Sequence, residues 1–328
     1  MVICDDAGFA RKQLARALPS GWDVTVTFAT NGAEAIEAVR AGKGDLLFLD
    51  LNMPGMDGYQ VLQAIRAQDL PTMVIVVSGD VQPEAHRRVT KLGAMAFLRK
   101  PVTAWQIAEV LDQYGIHHRQ GGQGARVGAD VEVTVAEGYQ EIANVAMGRA
   151  ADSLARLLNA FVVLPTPTVR TVELAELKRH LGELVDGEAA VPVVCQGFIG
   201  AGVAGEALVA FREVSTEDIA SLVHYEGEID PGVERELLMD LANVLVSACL
   251  KGLGEQLDMA FSQGYPLMIG RHVELDDLLK GGVDRWTRTL GIEMGYRIEN
   301  RRIGAEMLIL FTEDSLELLG QRVAFLVE

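Results

Sequence analysis

Hydrophobic residues in the first 116 positions change their spacing repeatedly. Short apolar runs, VIC, VTVTFA, DLLFLD, MVIVVS and AFLRK, have the length of buried strands. They alternate with stretches such as FARKQLARAL and GAEAIEAVRAG, in which apolar residues recur at helical spacing. Such alternation is typical of a parallel sheet with helical crossover connections. The pattern therefore predicts a doubly wound α/β domain over residues 1–116.

The pattern then stops and restarts in a different form. HHRQGGQGARVGAD is rich in Gly and Gln and has no apolar period, which predicts a flexible linker at 117–130. Residues 131–328 divide into two similar halves, about 131–226 and 227–328. GEALVAFREVSTEDIASL in the first half matches GAEMLILFTEDSLELL in the second, and VELAELKRHLG matches VELDDLLKGGV. Two halves, each a long helix followed by strands, would form a pseudo-two-fold unit around one shared sheet.

A short polar motif is duplicated within these halves. An acid and an asparagine stand three positions apart, a proline follows the asparagine by 23 residues, and the whole pattern returns 99 residues later. The two copies are Glu141, Asn144 and Pro167, and Asp240, Asn243 and Pro266. The spacing puts acid and amide on one helix face, which we expect to be exposed. One such pair would normally be a solvated helix face, but duplication at the same spacing favours a function: binding a cation and orienting a water.

Polar residues also end the predicted strands of the first domain. Asp5 and Asp6 end the first strand, Asp50 the third, Ser78 the fourth and Lys100 the fifth. The carboxyl ends of parallel strands meet at one edge of the sheet, so these side chains should lie together. Crowded carboxylates repel one another unless a cation joins them, and Mg²⁺ beside a phosphoryl group is bound in this way.

These motifs resemble two known families. Residues 1–116 resemble the CheY-like receiver domains of two-component response regulators. From about residue 131 to the end, the chain resembles the CheC/CheX/FliY group of chemotaxis phosphatases, which hydrolyse the phosphoaspartate of receiver domains. This second resemblance implies an α+β domain with two long motif helices and a mostly antiparallel sheet.

The receiver resemblance implies a set of site residues. Asp50 would be the phosphoacceptor, and Asp5, Asp6, Asp50 and the backbone carbonyl of Asn52 would hold Mg²⁺. It also implies that Ser78 and Lys100 bind the phosphoryl group, that Phe97 is an aromatic switch residue, and that the Lys100–Pro101 bond is cis.

The phosphatase resemblance implies catalytic roles for the duplicated motif. Asn144 would hold a water in line with the phosphoaspartate, and Glu141 would pair with a receiver lysine. In the second copy Asp240 is one methylene shorter than glutamate, so we expect Asp240 and Asn243 to form a weaker site.

Two functions remain open at this point. In the first, the chain is a response regulator whose output is hydrolysis of the phosphoaspartate of its own or another receiver. In the second, residues 131–328 are a catalytically weak module that sequesters a receiver or another chemotaxis protein. In a preferred form of the first hypothesis, the unphosphorylated receiver covers the Glu141 face. Phosphorylation of Asp50 then shifts it away through Ser78 and Phe97.

Composition narrows the remaining choices. The 328 residues are 49% hydrophobic and carry a formal net charge of -17, which excludes nucleic acid as a partner. We expect a cytoplasmic protein without membrane insertion, with three reduced buried cysteines. Its partners would be a sensor histidine kinase and a phosphorylated receiver, with a homodimer left open. The six histidines have no spacing typical of a zinc site.

Overall fold

The computed structural model describes residues 1–20, 22–116, 126–127, 134–173, 175–176, 179, 191–269 and 288–327. The chain forms two compact units, Met1–Gly148 and Arg149–Leu326. The histidines at 117, 118, 180 and 272 lie outside the described residues.

The first unit contains a parallel sheet. Its strands lie in the order β5-β4-β3-β1-β2-β6, and every pair is parallel. They are β1 (Val2–Cys4), β2 (Thr25–Ala29), β3 (Leu46–Leu49), β4 (Met73–Ser78), β5 (Ala96–Arg99) and β6 (Arg126–Val127). The five strands predicted from the apolar runs are confirmed. The two residues of β6 are the only described part of the stretch predicted as a linker, so the linker stays a prediction.

Helices alternate with these strands, as the apolar spacing predicted. They are α1 (Gly8–Arg16), α2 (Gly32–Arg40), α3 (Gly58–Ala67), α4 (Pro83–Lys91) and α5 (Ala104–Gln113), followed by the long α6 (Val135–Leu158). Side-chain caps stabilise the N-termini of α3 and α5: Asp57 and Thr103 each form a capping box with the glutamine three residues later.

Both faces of the first sheet are buried. Val2 and Cys4 of β1 pack in one hydrophobic cluster with Leu47 and Leu49 of β3. The residues between them, Ile3 and Phe48, pack in a second cluster. Successive side chains of a strand point to opposite faces, so a strand that is apolar throughout needs a core on each side.

The second unit contains an antiparallel sheet in the order β11-β9-β10-β14-β13-β7, with β12 beside β9 and β8 beside β13. Its strands are β7 (Val162–Val163), β8 (Thr168–Glu173), β9 (Val193–Gly200), β10 (Val203–Val214), β11 (Ser262–Gln263), β12 (Leu267–Ile269), β13 (Arg288–Ile298) and β14 (Ile303–Phe311). Its helices are α7 (Thr216–Leu222), α8 (Pro231–Leu257) and α9 (Leu316–Val327), the last preceded by a 3-10 turn at Glu313–Ser315.

The duplication is visible in this order of elements. α6 and α8 are each followed by two short strands and then by a long antiparallel pair. Pro167 and Pro266 stand directly before β8 and β12. β10 and β14 are neighbours in the middle of the sheet, with Leu208 opposite Leu308. The predicted fold class, a doubly wound receiver fold followed by an α+β region with an antiparallel sheet, is confirmed. VELAELKRHLG lies partly, and VELDDLLKGGV wholly, outside the described residues.

One helix among the described residues, α8, is long and apolar enough by length and composition to cross a membrane. Of its apolar window, 61% is buried within the protein. Leu237, Leu241, Leu245 and Cys249 of α8 are all buried, as expected for the core helix of a globular domain. The three cysteines, Cys4, Cys195 and Cys249, are buried and form no disulfide with one another, as the sequence predicted.

Candidate functional site

Three carboxylates meet at one edge of the first sheet. Asp5 and Asp6 follow β1, and Asp50 follows β3. β1 and β3 are parallel neighbours in which Cys4 pairs with Leu49, so the residues that follow them emerge side by side. One ligand oxygen from each carboxylate lies within 4.8 Å of the others. The grouping predicted from the strand ends is therefore present.

These carboxylates suit a divalent cation. Burial, with the neighbouring charge of Asp5, raises the pKa of Asp50 well above its usual value, although Lys100 acts in the opposite direction. Burial and the charge of Asp5 also raise the pKa of Asp6 to about 6. Neither carboxylate oxygen of Asp50 has a hydrogen-bond partner among the described residues. A hard cation such as Mg²⁺ would supply the missing contacts and relieve the repulsion, so the donor set fits this ion.

Lys100 is the cation that the protein itself provides. Its Nζ lies 2.7 Å from Asp5 Oδ2 and 3.5 Å from Asp50 Oδ1, and its side chain is 4% exposed. Burial alone would lower the pKa of Lys100, but the carboxylates of Asp5, Asp50 and Glu141 hold it well above its usual value. The Lys100–Pro101 bond is cis, as predicted.

The other predicted receiver residues lie at the same strand ends or next to them. Ser78 ends β4, is fully buried, and its Oγ accepts a hydrogen bond of 3.1 Å from the backbone N–H of Asp80. Asn52 lies two residues after Asp50 in the loop that leaves β3. Phe97, in β5, is half-buried, and its ring meets the His86 ring edge-on at a centroid distance of 5.5 Å.

The first motif copy belongs to this same unit. Glu141 Oε1 lies 3.3 Å from Lys100 Nζ. A receiver lysine thus lies beside Glu141, and it is Lys100 of the same chain; its anchoring role stays a prediction. Burial raises the pKa of Glu141 to about 7, although Lys100 lowers it.

For the first copy, the expectation of an exposed helix face is wrong. Glu141 is 4% exposed and Asn144 is 5% exposed. Residues 141–148 of α6 are all buried, so this part of the helix is covered on every side. The amphipathic pattern could not reveal this, because the surface that covers the polar face comes from residues far away in the sequence.

The second copy has different surroundings inside the second unit. Asp240 is exposed, and Asn243 is half-buried. Asn243 Oδ1 accepts a hydrogen bond of 2.8 Å from Gln196 Nε2, which also donates to the Gly264 carbonyl at 2.8 Å. The amide oxygen that would accept a bond from a water is therefore already engaged. The expected inequality of the two copies stays a prediction, and this geometry gives it a reason.

Sequence reasoning missed three residues of the site region. Thr134 and Glu137 begin α6 as a capping box: Glu137 N–H donates to Thr134 Oγ1 at 3.2 Å, and Thr134 N–H donates to Glu137 Oε2 at 2.8 Å. The Thr-x-x-Glu spacing could have predicted it. Gly148, one turn after Asn144, lies directly against the loop after β4. Its place in a helix interior, where glycine is unfavourable, was the available signal.

Comparisons with known proteins support the receiver fold of the first unit. The model of the response regulator receiver domain matches residues 1–112. The chemotaxis protein CheY of Listeria monocytogenes is 34% identical over 113 residues, which are 34% of this chain and 95% of that protein. The chain belongs to the response regulator receiver family. The receiver is also 39% identical over 114 residues to the probable transcriptional regulatory protein NarL of Mycobacterium tuberculosis.

Beyond the receiver, the likeness is weaker. The match to NarL covers 34% of this chain and 53% of NarL, so the chain spans about half the length of that relative. The crystal structure of Thermotoga maritima FliY is similar over 58% of this chain and 96% of the FliY chain, with 15% identity and a TM-score of 0.42. Receiver domains as a class are phosphorylated by histidine kinases and bind Mg²⁺ at an acidic pocket.

Proposed function

We propose that this response regulator hydrolyses the phosphoaspartate of a receiver domain, and that its own receiver is a substrate. Asp50 is the phosphoacceptor, and Glu141 and Asn144 of α6 form the hydrolytic site. The single observation that carries the proposal is the contact of Glu141 with Lys100, 3.3 Å apart, while the same Nζ lies 3.5 Å from Asp50 Oδ1. The motif acid is thus joined to the phosphoacceptor by one shared lysine.

The chemistry demands a positioned water more than a strong base. Asn144 follows Glu141 by one helical turn, so anchoring Glu141 on Lys100 also fixes Asn144 on the same face of α6. Its amide oxygen would accept a hydrogen bond from the attacking water, and its NH₂ would donate to a phosphoryl oxygen. The new bond forms between water oxygen and phosphorus while the bond from phosphorus to the Asp50 oxygen breaks. The products are the free Asp50 carboxylate and inorganic phosphate.

The receiver residues complete the site. Ser78 and Lys100 are the groups that would bind the phosphoryl oxygens. Asp5, Asp6, Asp50 and the Asn52 carbonyl would hold Mg²⁺, which when bound neutralises negative charge on the phosphoryl group. With these groups already in the receiver, the motif helix has to supply only the positioned water.

The same contacts support a regulatory role for the receiver. Asp50 is 1% exposed and Glu141 is 4% exposed, which agrees with a state in which receiver and motif helix cover each other. A phosphoryl group on Asp50 would compete with Glu141 for Lys100, because both are anionic. The phosphorylated chain would then exchange between a packed state, in which Asn144 reaches the Asp50 phosphate, and a released state, in which the Glu141 face is available to other receivers.

A second function has one observation in its favour. Glu141 occupies the lysine that would bind the phosphoryl group, so the motif helix could block phosphorylation without catalysing hydrolysis. The chain would then act by sequestering a receiver.

Both functions can be tested on the full chain. The protein is phosphorylated with acetyl phosphate and Mg²⁺, the donor is removed, and loss of the Asp50 phosphate is followed with time. Hydrolysis by the motif predicts slower decay in Asn144→Ala than in wild type. Equal decay, together with faster initial phosphorylation of Glu141→Ala, would leave only sequestration.

A further inference from the structure

Two glycines face each other inside the first unit. Gly79 directly follows Ser78 in the loop between β4 and α4, and Gly148 lies on α6 one turn beyond Asn144. Neither glycine takes part in the proposed chemistry. Their position between the phosphoryl-binding serine and the motif asparagine makes their contact relevant to both.

The two backbones are in direct contact at this point. A Cβ atom added to Gly148 would overlap the carbonyl carbon and oxygen of Gly79 and lie 2.5 Å from the backbone nitrogen of Asp80. A Cβ added to Gly79 would lie 3.1 Å from Val145 Cα and 3.2 Å from the Asn144 carbonyl oxygen. These neighbours are backbone atoms, which cannot rotate away as a flexible side chain can.

The loop on the receiver side is held in place by its own hydrogen bonds. The backbone N–H of Asp80 donates to Ser78 Oγ at 3.1 Å, and the backbone N–H of Gln82 donates to Asp80 Oδ1 at 3.0 Å. A methyl group at position 148 would therefore displace the helix more readily than the loop. Displacing the helix moves Asn144, which precedes Gly148 by one turn.

We propose that the Gly79–Gly148 contact positions Asn144 and determines which receivers the motif helix accepts. The inference rests on the proposed hydrolytic function of α6. The helix fits a receiver domain that has glycine directly after its phosphoryl-binding serine. It discriminates against a receiver with a side chain at that position, because that side chain would press on the backbone of Asn144 and Val145.

The second motif copy supports this assignment. Position 247 stands 99 residues after Gly148, in the same frame as the duplicated motif, and it is a serine. Ser247 Oγ donates a hydrogen bond of 2.9 Å to Gln263 Oε1. α8 thus has a side chain where α6 has none, so α8 could not approach a receiver loop in the way that α6 does. Hydrolysis is therefore assigned to the first copy.

The test compares full-length Gly148→Ala and Gly79→Ala with wild type, with Ser247→Ala as the matched control at the equivalent helix position. Two rates are measured in each: phosphorylation of Asp50 by acetyl phosphate with Mg²⁺, and decay of the phosphate after donor removal. Gly148→Ala should slow decay by up to about 100-fold, because a shift on the order of 1 Å has an effect of that size on a positioned reaction. Its phosphorylation should become faster, because the helix covers Asp50 less tightly. Ser247→Ala should change neither rate.

Opposite changes in the two rates separate positioning from general damage, which would lower both. Alanine is also the better helix former, so an effect of helix propensity alone would strengthen α6. Amide hydrogen exchange of residues 79–80 and 141–148 tests the contact independently of hydrolysis and should rise in Gly148→Ala. If Asn144→Ala decays like wild type, the hydrolytic function fails, while the exchange data still decide the contact.

Wild-type rates and wild-type exchange in a folded Gly148→Ala would overturn the proposal. If circular dichroism shows that Gly148→Ala does not fold, Gly79→Ala decides, since its added Cβ meets its neighbours at 3.1 and 3.2 Å and requires a smaller shift. Unchanged decay and unchanged exchange in Gly79→Ala would then overturn it.

Discussion

Replacing the two motif asparagines one at a time gives the sharpest prediction, because the sequence makes their sites unequal only through Asp240, whereas the structure gives the two amides different surroundings. Asn144 is 5% exposed and lies one turn from Glu141, which contacts Lys100. Asn243 is half-buried, and its amide oxygen accepts a hydrogen bond from Gln196. We expect Asn144→Ala to impair hydrolysis and Asn243→Ala to impair only stability.

The magnitudes follow from these surroundings. Loss of one oriented amide at the reacting water should raise the barrier by about 2.7 kcal/mol, which corresponds to about 100-fold slower decay of the Asp50 phosphate. Asn243→Ala removes one side-chain hydrogen bond, worth about 1 kcal/mol, although Gln196 keeps its bond to the Gly264 carbonyl. In a unit of this size that loss lowers the unfolding temperature by about 2–4 °C.

The assay is the first-order decay of phosphorylated full-length protein in excess Mg²⁺ after removal of acetyl phosphate. Thermal unfolding of each unphosphorylated variant is measured alongside. The stoichiometry of phosphorylation is checked first, so that a low signal is not mistaken for fast decay. Equal slowing by the two substitutions would refute the inequality of the copies, and no slowing by either would refute the hydrolytic role of the motif.

Three further predictions concern the receiver site and its cover. Asp50→Ala should accept no phosphate from acetyl phosphate, and wild type should accept it only with Mg²⁺; labelling of the variant at the wild-type level would contradict the assignment. The pKa of Asp6 is raised to about 6, so below that pH the binding of Mg²⁺ must displace a proton from this carboxyl. Calorimetry should therefore show the Mg²⁺ affinity falling by up to about tenfold per pH unit below about 6, and an affinity independent of pH would exclude this coupling. The pKa of Glu141 is raised to about 7, above its usual 4.5. A carboxyl with a raised pKa binds its proton more tightly in the packed state, so its contribution to packing is present below pH 4.5 and is lost as pH rises through about 7. With saturating Mg²⁺, hydrogen exchange in residues 143–147, corrected for its intrinsic pH dependence, should increase over this window in wild type and stay flat in Glu141→Gln.

The sequence by itself determined the main elements of the receiver and the strand ends at which its polar residues meet. Apolar runs of strand length alternating with helical spacing predicted the five strands of the receiver, because parallel strands buried on both faces need continuous apolar sequence. The position of Asp5, Asp6 and Asp50 at strand ends predicted their meeting, since parallel strands end at one edge. The repeated segments likewise predicted two similar halves around one shared sheet, and the family resemblance implied that this sheet is mostly antiparallel.

Tertiary structure alone decided what surrounds these residues. The spacing of Glu141 and Asn144 placed them on one helix face, but their burial depends on Lys100 and the loop at Gly79, which are distant in sequence. The repeat gave Asn144 and Asn243 the same frame and distinguished their sites only through Asp240, whereas folding placed Gln196 against Asn243. Periodicity reports which residues share a face of one element. Folding decides which surface covers that face, because it brings together side chains that are distant in sequence. It also decides how closely two backbones approach, and at Gly148 the close approach depends on the absence of a side chain.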